Sequence, residues 1–222
     1  LDSMSALHSL ERIGYVVAPA VLDPIETASI AEALQAVPIA NAGTRNLLDL
    51  GWCRALVERI RSVLEIPGVA VQCTLFDKTP ERNWLVAFHQ DLSIPVRERV
   101  EHPELRVWSV KEGQQFVQPP VALLEQLTAV RIHIDDCGPA NGPLRLVPAS
   151  HRNGRLNEFE AKRLRNVAGE VPLSIGQGGA LILKPLLLHA SSKATSPRHR
   201  RVLHFLFGPA SIGYGLRWQH AV

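Results

Sequence analysis

At Val69 the hydrophobic pattern of this 222-residue chain changes period, and that change sets the fold class. Upstream, apolar residues recur at helical spacing. Ser5 to Glu11 opens a short helix that ends near Gly14, and Tyr15 to Ala18 is a strand candidate. Asp23 is placed as an N-cap, with Pro24 at the first helical position, launching a helix over Ile25 to Ala36. Leu50 to Leu64 gives a further amphipathic helix, stopped by Pro67-Gly68. Downstream, Val69 to Phe76 and Trp84 to Asp91 read as strands around a turn at Asp77 to Glu81. Gly113 to Pro120 reads as a loop and Pro120 to Gln126 as a short helix. Val130 to Asp135 alternates clearly, Asn141-Gly142 signals a hairpin, and Leu144 to Pro148 is its return strand. Two apolar strands, Ala180 to His189 and Val202 to Phe207, follow a turn around Gly176 to Gly179. Sixteen prolines and fifteen glycines supply the turns that a run of short strands needs. Helices followed by about eight strands predict a mainly β protein with flanking N-terminal helices, built as a double-stranded β-helix, the jelly-roll or cupin-like barrel. The expected organisation is one domain over residues 1–222, with 1–68 as helical flank and 69–207 as jelly-roll core.

Composition excludes several partners. A hydrophobic fraction of 46% and a charged fraction of 20% suit a globular domain. The net charge of +3 owes much to two clusters, Arg152 to Arg165 and Arg198 to Arg201. A lone aromatic, Phe159, falls among them, so they read as a solvated face and no nucleic acid is expected. Cys53, Cys73 and Cys137 have neither zinc spacing nor a disulfide framework, which points to a reducing compartment. The longest apolar run, Ala180 to Leu188, is broken by Lys184 and Pro185 and is too short to span a bilayer. No signal-peptide pattern opens the sequence, so the expected location is cytoplasmic, away from any membrane.

On a strand, residues two apart share a face, so His89 and Asp91 point together with Gln90 turned aside. A metal needs two such ligands on a stiff backbone and a third from elsewhere. His189, after Leu186-Leu187-Leu188, is the candidate. Two imidazoles and one carboxylate make the facial triad of non-heme Fe(II) oxygenases, which leaves positions open for cosubstrate and O₂. Zinc is the rival metal, but this donor set with no cysteine nearby suits iron better. His133 shares a face with Arg131 and Asp135, His151 sits in a turn as a surface or hydrogen-bonding residue, and His199 and His204 lie beyond the distal candidate. None of them fits the third position as well. Past His189, Ser191 shares its face, and Arg200 enters the next strand. Arginine suits a terminal carboxylate because its planar fork offers two parallel hydrogen bonds. Arg198, Arg200 and Arg201 crowd four residues, and spacing alone does not choose among them.

Leu75-Phe76-Asp77-Lys78-Thr79-Pro80, His89-Gln90-Asp91, the run from Asn141-Gly142-Pro143 to His151, and His189 with Ser191 and Arg200 together resemble the phytanoyl-CoA dioxygenase (PhyH) family of Fe(II)/2-oxoglutarate oxygenases. The resemblance spans most of Val69 to Phe207. It implies that His89, Asp91 and His189 bind Fe(II), and that Arg200 with Ser191 holds the far carboxylate of 2-oxoglutarate. Thr74 matches a cosubstrate-facing position. Arg131 stands where the family has an aromatic neighbour of the cosubstrate, so it serves either 2-oxoglutarate or a substrate anion. Arg45 matches a basic residue that some members supply from the N-terminal region, or is a surface arginine. The implied reaction consumes O₂ and 2-oxoglutarate, releases succinate and CO₂, and hydroxylates a small organic substrate. Related halogenases lack the carboxylate, so Asp91 argues for hydroxylation.

The substrate is less legible. Trp84, Trp108, Lys78, His133, Gln114, Gln115 and Gln118 sit on segments placed to rim a cavity, and Ser93 to Pro120 reads as a loop long enough for a lid. Two other classes stay open: a jelly-roll binding protein without turnover, and a cupin-like metallohydrolase.

Overall fold

The computed structural model describes residues 3–39, 43–196 and 198–222. Its helices are α1 (Ser3–Ile13), α2 (Pro24–Ala33), α3 (Gly51–Leu64), α4 (Val121–Leu124) and α5 (Glu158–Ala168). Its strands are β1 (Tyr15–Ala18), β2 (Val69–Lys78), β3 (Val86–His89), β4 (Ile94–Val96), β5 (Arg106–Lys111), β6 (Gln114–Gln118), β7 (Thr128–His133), β8 (Leu144–Leu146), β9 (Val171–Leu173), β10 (Ala180–Leu183), β11 (His189–Ser191) and β12 (Arg200–Gly208). The Asp23 cap forms as a full capping box: its carboxylate accepts from Glu26 N at 2.7 Å, and Glu26 accepts from Asp23 N at 2.8 Å.

Three antiparallel sheets make the barrel. The major sheet runs β1-β10-β7-β12-β2, the minor sheet β3-β11-β8-β9, and a small sheet β4-β6-β5 stands beside them. Strand alternation divides the major sheet between two cores. Val130, Ile132, Leu203, Phe205 and Cys73 face Leu56, Val57 and Ile60 of α3, all in one apolar cluster. Ala129, Leu181, Leu183 and Leu206 face inward and join Leu144 and Leu146 of the minor sheet. The major sheet is thus covered on both faces, and so β12 reads as an almost unbroken apolar run. In β2 the pairing slips by one residue, from Gln72↔Leu206 to Ala70↔Phe207. Past this bulge, plain alternation puts Gln72, Thr74, Phe76 and Lys78 in the interior cavity, while before it Ala70 joins the outer core.

Several sequence expectations are corrected. Twelve strands form among the described residues, against about eight expected. The expected strand Ala180 to His189 is two: Pro185 ends the run after β10 in the major sheet, and His189 begins β11 in the minor sheet. Gly113 to Pro120 is not a loop, because Gln114–Gln118 pairs with both β4 and β5. Glu112 and Gly113, at φ +49° and +78°, make the tight turn between β5 and β6. Ser93 to Pro120 is therefore a folded three-stranded sheet rather than a lid loop. Asn141-Gly142 turns the chain between sheets instead of joining hairpin partners, since β7 and β8 belong to different sheets. The strand at Tyr15–Ala18, inside the expected helical flank, is the edge of the major sheet, paired with β10. Among the described residues, no helix is long and apolar enough to cross a membrane.

Candidate metal and cosubstrate site

His89 and His189 are direct partners across β3 and β11, which brings two residues a hundred positions apart to ring centroids 4.3 Å apart. Asp91 lies just past the end of β3, its N–H donated to the Pro185 carbonyl at 2.9 Å. Gln90 turns aside and ties down two other segments: its amide donates to Leu186 O at 2.7 Å and Gly154 O at 2.8 Å, and accepts from Leu156 N at 2.9 Å. His89 Nε2 is 3.5 Å and His189 Nε2 is 3.7 Å from the Asp91 carboxylate. One ligand atom from each of the three lies within 4.8 Å of the others. Both rings donate Nδ1–H to a backbone carbonyl two residues back, His89 to Ala87 at 2.9 Å and His189 to Leu187 at 2.8 Å. That fixes the tautomer and leaves both Nε2 lone pairs aimed at the carboxylate, as metal ligation requires.

The electrostatics keep the donors ready. Burial alone would raise the Asp91 carboxyl, but the imidazoles around it, His189 with His89 and His204, outweigh burial and hold the group well below the ordinary range. Burial pushes His189 down to about 4, against the pull of Asp91, so the ring is neutral at pH 7. His204 completes the ring around Asp91, with Nε2 3.9 Å from Oδ2. Its Nδ1 accepts from Arg131 Nη1 at 3.1 Å, which places its proton on Nε2, facing the carboxylate. It is a neighbour of the triad, beyond hydrogen-bond distance of Asp91, rather than a member. The sequence carried the signal, because Arg200 and His204 are four apart on one strand and share a face.

Beyond the triad the cavity becomes strongly basic. Arg200, 3% exposed, donates to Ser191 Oγ at 3.3 Å and to the Gly142 carbonyl. Lys78 meets the same Ser191 Oγ at 3.0 Å and the Trp84 carbonyl at 2.7 Å. No carboxylate lies within ion-pair distance of either cation among the described residues, and Arg200 Nε and Arg131 Nε lack partners altogether. Burial, then Arg200 and Arg131, drive Lys78 down to about 7, and burial with Arg200 lowers Arg131 to about 10. Uncompensated buried cations of this kind are costly unless an anion joins them.

The crowded arginines are separated by strand parity. Arg200 faces the interior; Arg201 faces the other way and holds Asp135 in a two-pronged pair at 2.8 and 2.9 Å; Arg198 is exposed. All eight candidate residues (Arg45, Thr74, His89, Asp91, Arg131, His189, Ser191 and Arg200) line one cavity of about 480 Å³. Thr74 accepts from Gln72 Nε2 at 2.9 Å. Arg45 sits at the rim, paired with Glu112 at 2.9 Å. Of the expected rim residues, Lys78, Trp84 and Gln118 line the cavity; Trp108, His133, Gln114 and Gln115 do not. His133 is buried with both ring nitrogens unpartnered among the described residues, held neutral by burial and by Arg131 and Arg200. His151 hydrogen-bonds the Glu11 carbonyl at 3.0 Å, and His199 pairs with Asp77 at 2.7 Å.

Comparison with known proteins places this geometry in context. The family model described as phytanoyl-CoA dioxygenase (PhyH) matches residues 52–202. No curated relative matches the sequence. Among solved structures, AviO1 from Streptomyces viridochromogenes Tue57 is similar at 22% identity and TM-score 0.65, covering 96% of this chain and 97% of that one. EctD from S. alaskensis, in its apoform, is similar at 17% identity and TM-score 0.68, covering 95% and 78%. HygX from Streptomyces hygroscopicus, crystallised with nickel, 2-oxoglutarate and hygromycin B, is similar at 18% identity and TM-score 0.63, covering 92% and 86%.

Proposed function

This chain belongs to the phytanoyl-CoA dioxygenase (PhyH) family, and from that membership we propose that it couples oxidative decarboxylation of 2-oxoglutarate to hydroxylation of a small organic molecule at one Fe(II). In balance, substrate C–H, O₂ and 2-oxoglutarate become C–OH, succinate and CO₂. The observation that carries this reading is the convergence of His89, Asp91 and His189, with both imidazole tautomers pinned, beside buried cations that have no anion of their own among the described residues. Two nitrogens and one oxygen, with no thiol lining the cavity among the described residues, fit iron better than a structural zinc.

His89, Asp91 and His189 would hold the iron, which when bound with 2-oxoglutarate supplies the oxidising chemistry. Arg200 and Lys78, converging on Ser191, take the far carboxylate of the cosubstrate. Arg131, spanning from His204 to the face of Phe76 at 5.2 Å, balances its second negative charge and keeps the His204 proton facing Asp91. Thr74 adds a hydroxyl to the same wall. Asp91 fills the position that a halide would need, which favours hydroxylation over halogenation.

The test is anaerobic addition of Fe(II) and 2-oxoglutarate, read by the weak visible charge-transfer band, followed by succinate release in air. Both signals are expected from the native protein, and neither from folded His89→Ala or Asp91→Ala. Full activity in either variant refutes the assignment. A metal-dependent hydrolysis without succinate would put the metallohydrolase in its place, and metal binding without any turnover the binding module.

A further inference from the structure

The cavity holds more positive charge than the cosubstrate accounts for. Arg45, Lys78, Lys111, Arg131 and Arg200 line it, and Asp91 is the one acidic residue among the described lining residues. The two carboxylates of 2-oxoglutarate answer the Arg200–Lys78 pair and Arg131. Arg45 already has Glu112. Lys111 is left over: its ammonium lies 4.8 Å over the Phe116 ring, with no ion pair or side-chain hydrogen bond among the described residues.

Its element sets this cation apart, since Lys111 is carried by β5 of the small sheet and Lys78, Arg131 and Arg200 by the major sheet. Along β12, Arg200, His204 and Leu206 all line the cavity, in that order. At about 3.3 Å per residue they mark three stations: the cosubstrate end, the metal, and an apolar compartment about 20 Å from the first. Leu127, Leu206 and Ile94, all in one apolar cluster, furnish that compartment, and Phe116 lines the cavity beneath Lys111. Phe116 and Ile94 belong to the small sheet whose hairpin also carries Lys111. At the tip of the same hairpin, Glu112 clamps Arg45 through both its guanidinium and its backbone N–H, setting Arg45 beside Lys111. Burial, then Arg45, lowers the Lys111 pKa, with Asp91 pulling the other way.

We propose that the substrate is a small amphipathic organic acid whose carboxylate docks on Lys111, with Arg45 beside it, while its apolar body lies against Phe116, Ile94, Leu127 and Leu206 facing the metal triad. The proposal rests on the Fe(II)/2-oxoglutarate reading above. A cavity of about 480 Å³ must hold cosubstrate and substrate together, which keeps the acid small. The small sheet that carries Lys111 then serves as the specificity element, reading charge at its edge and apolar surface at its base.

Matched probes test this on the Fe(II)- and 2-oxoglutarate-loaded protein under anaerobic conditions: 3-phenylpropanoate against 3-phenylpropanamide, and hexanoate against hexanamide, titrated by calorimetry. Each acid is expected to bind about tenfold or more tighter than its amide, as a charge-assisted contact implies. In Lys111→Met the acid-to-amide ratio falls to about one, and Lys111→Arg restores it. The rise in melting temperature on adding 2-oxoglutarate, recorded on the same samples, scores the underlying reading separately. Loss of that rise in the native protein defeats the cosubstrate assignment. Equal affinities for acid and amide, no binding by either pair, or an unchanged ratio in Lys111→Met while the 2-oxoglutarate response persists, overturns the substrate proposal.

Discussion

Replacing Arg200 by methionine removes a buried cation while keeping most of the side-chain volume. In the native fold the guanidinium is 3% exposed and within 3.3 Å of Ser191 Oγ, with no carboxylate in reach among the described residues. A charge-assisted hydrogen bond to a cosubstrate carboxylate is worth about 1.5–3 kcal/mol at such a site, where solvent screening is weak. Lys78, 3.0 Å from the same hydroxyl, retains part of the attraction, so the net loss is taken as one such contact. That weakens 2-oxoglutarate about 10- to 150-fold, at about 1.4 kcal/mol per factor of ten. The assay is thermal unfolding with Mn(II) as a redox-silent metal and 2-oxoglutarate at about a hundred times the native dissociation constant. Native protein gains about 2.7 kcal/mol there, and a variant bound a hundredfold more weakly gains about 0.4 kcal/mol. For a chain of this size the rise in Tm falls from about 5–11 °C to about 1–2 °C. Without cosubstrate, Arg200→Met is expected to melt no lower than native, because an uncompensated cation beside Lys78 and Arg131 has been removed. An undiminished rise in Arg200→Met, or its loss in Arg198→Met, would falsify the clamp.

Other outcomes follow from the same geometry. Lys78 titrates near 7 in the fold and near 10.5 when unfolded, so a buried charged ammonium weighs against the cosubstrate-free fold most fully below pH 7. Because 2-oxoglutarate prefers the protonated amine, its affinity is expected to be highest below pH 7 and to weaken as pH rises through 7. Lys78→Met should flatten that slope in a calorimetric pH series, and an unchanged slope would place the titrating group elsewhere. Gly142→Ala puts a Cβ 2.6 Å from the Ser192 carbonyl at φ +64° and disturbs the carbonyl that Arg200 holds. It should cost at least about 1–2 kcal/mol in urea unfolding and weaken 2-oxoglutarate as well; a silent substitution would show that the turn adapts. His204→Phe removes the proton facing Asp91 and orphans Arg131 Nη1. Metal affinity, measured by Mn(II) titration, should fall about 10- to 100-fold, and native affinity in the variant would mean that Asp91 is oriented without it.

The residues themselves settled what depends on neighbours in the chain. The N-cap at Asp23, the stop at Pro67-Gly68 and the change to strands at Val69 follow from backbone preferences and periodicity, and the fold class followed from them. His89 and Asp91 were legible as a pair for the same reason, since one spacer on an extended backbone aligns two side chains. What local pattern could not supply was which face of a strand is inside. Arg200 and Arg201 are adjacent and must point opposite ways. Only the packing of α3 on one face of the major sheet and of the minor sheet on the other turns Arg200 into the cavity and leaves Arg201 to Asp135. Likewise, His204 reaches Asp91 because β12 lies between β2 and β7 in that sheet. Lys111 reaches the rim because a segment that read as loop folds into paired strands. Sheet order and sidedness are set by contacts distant in sequence, through burial of apolar surface on both sides at once, and no single strand encodes that.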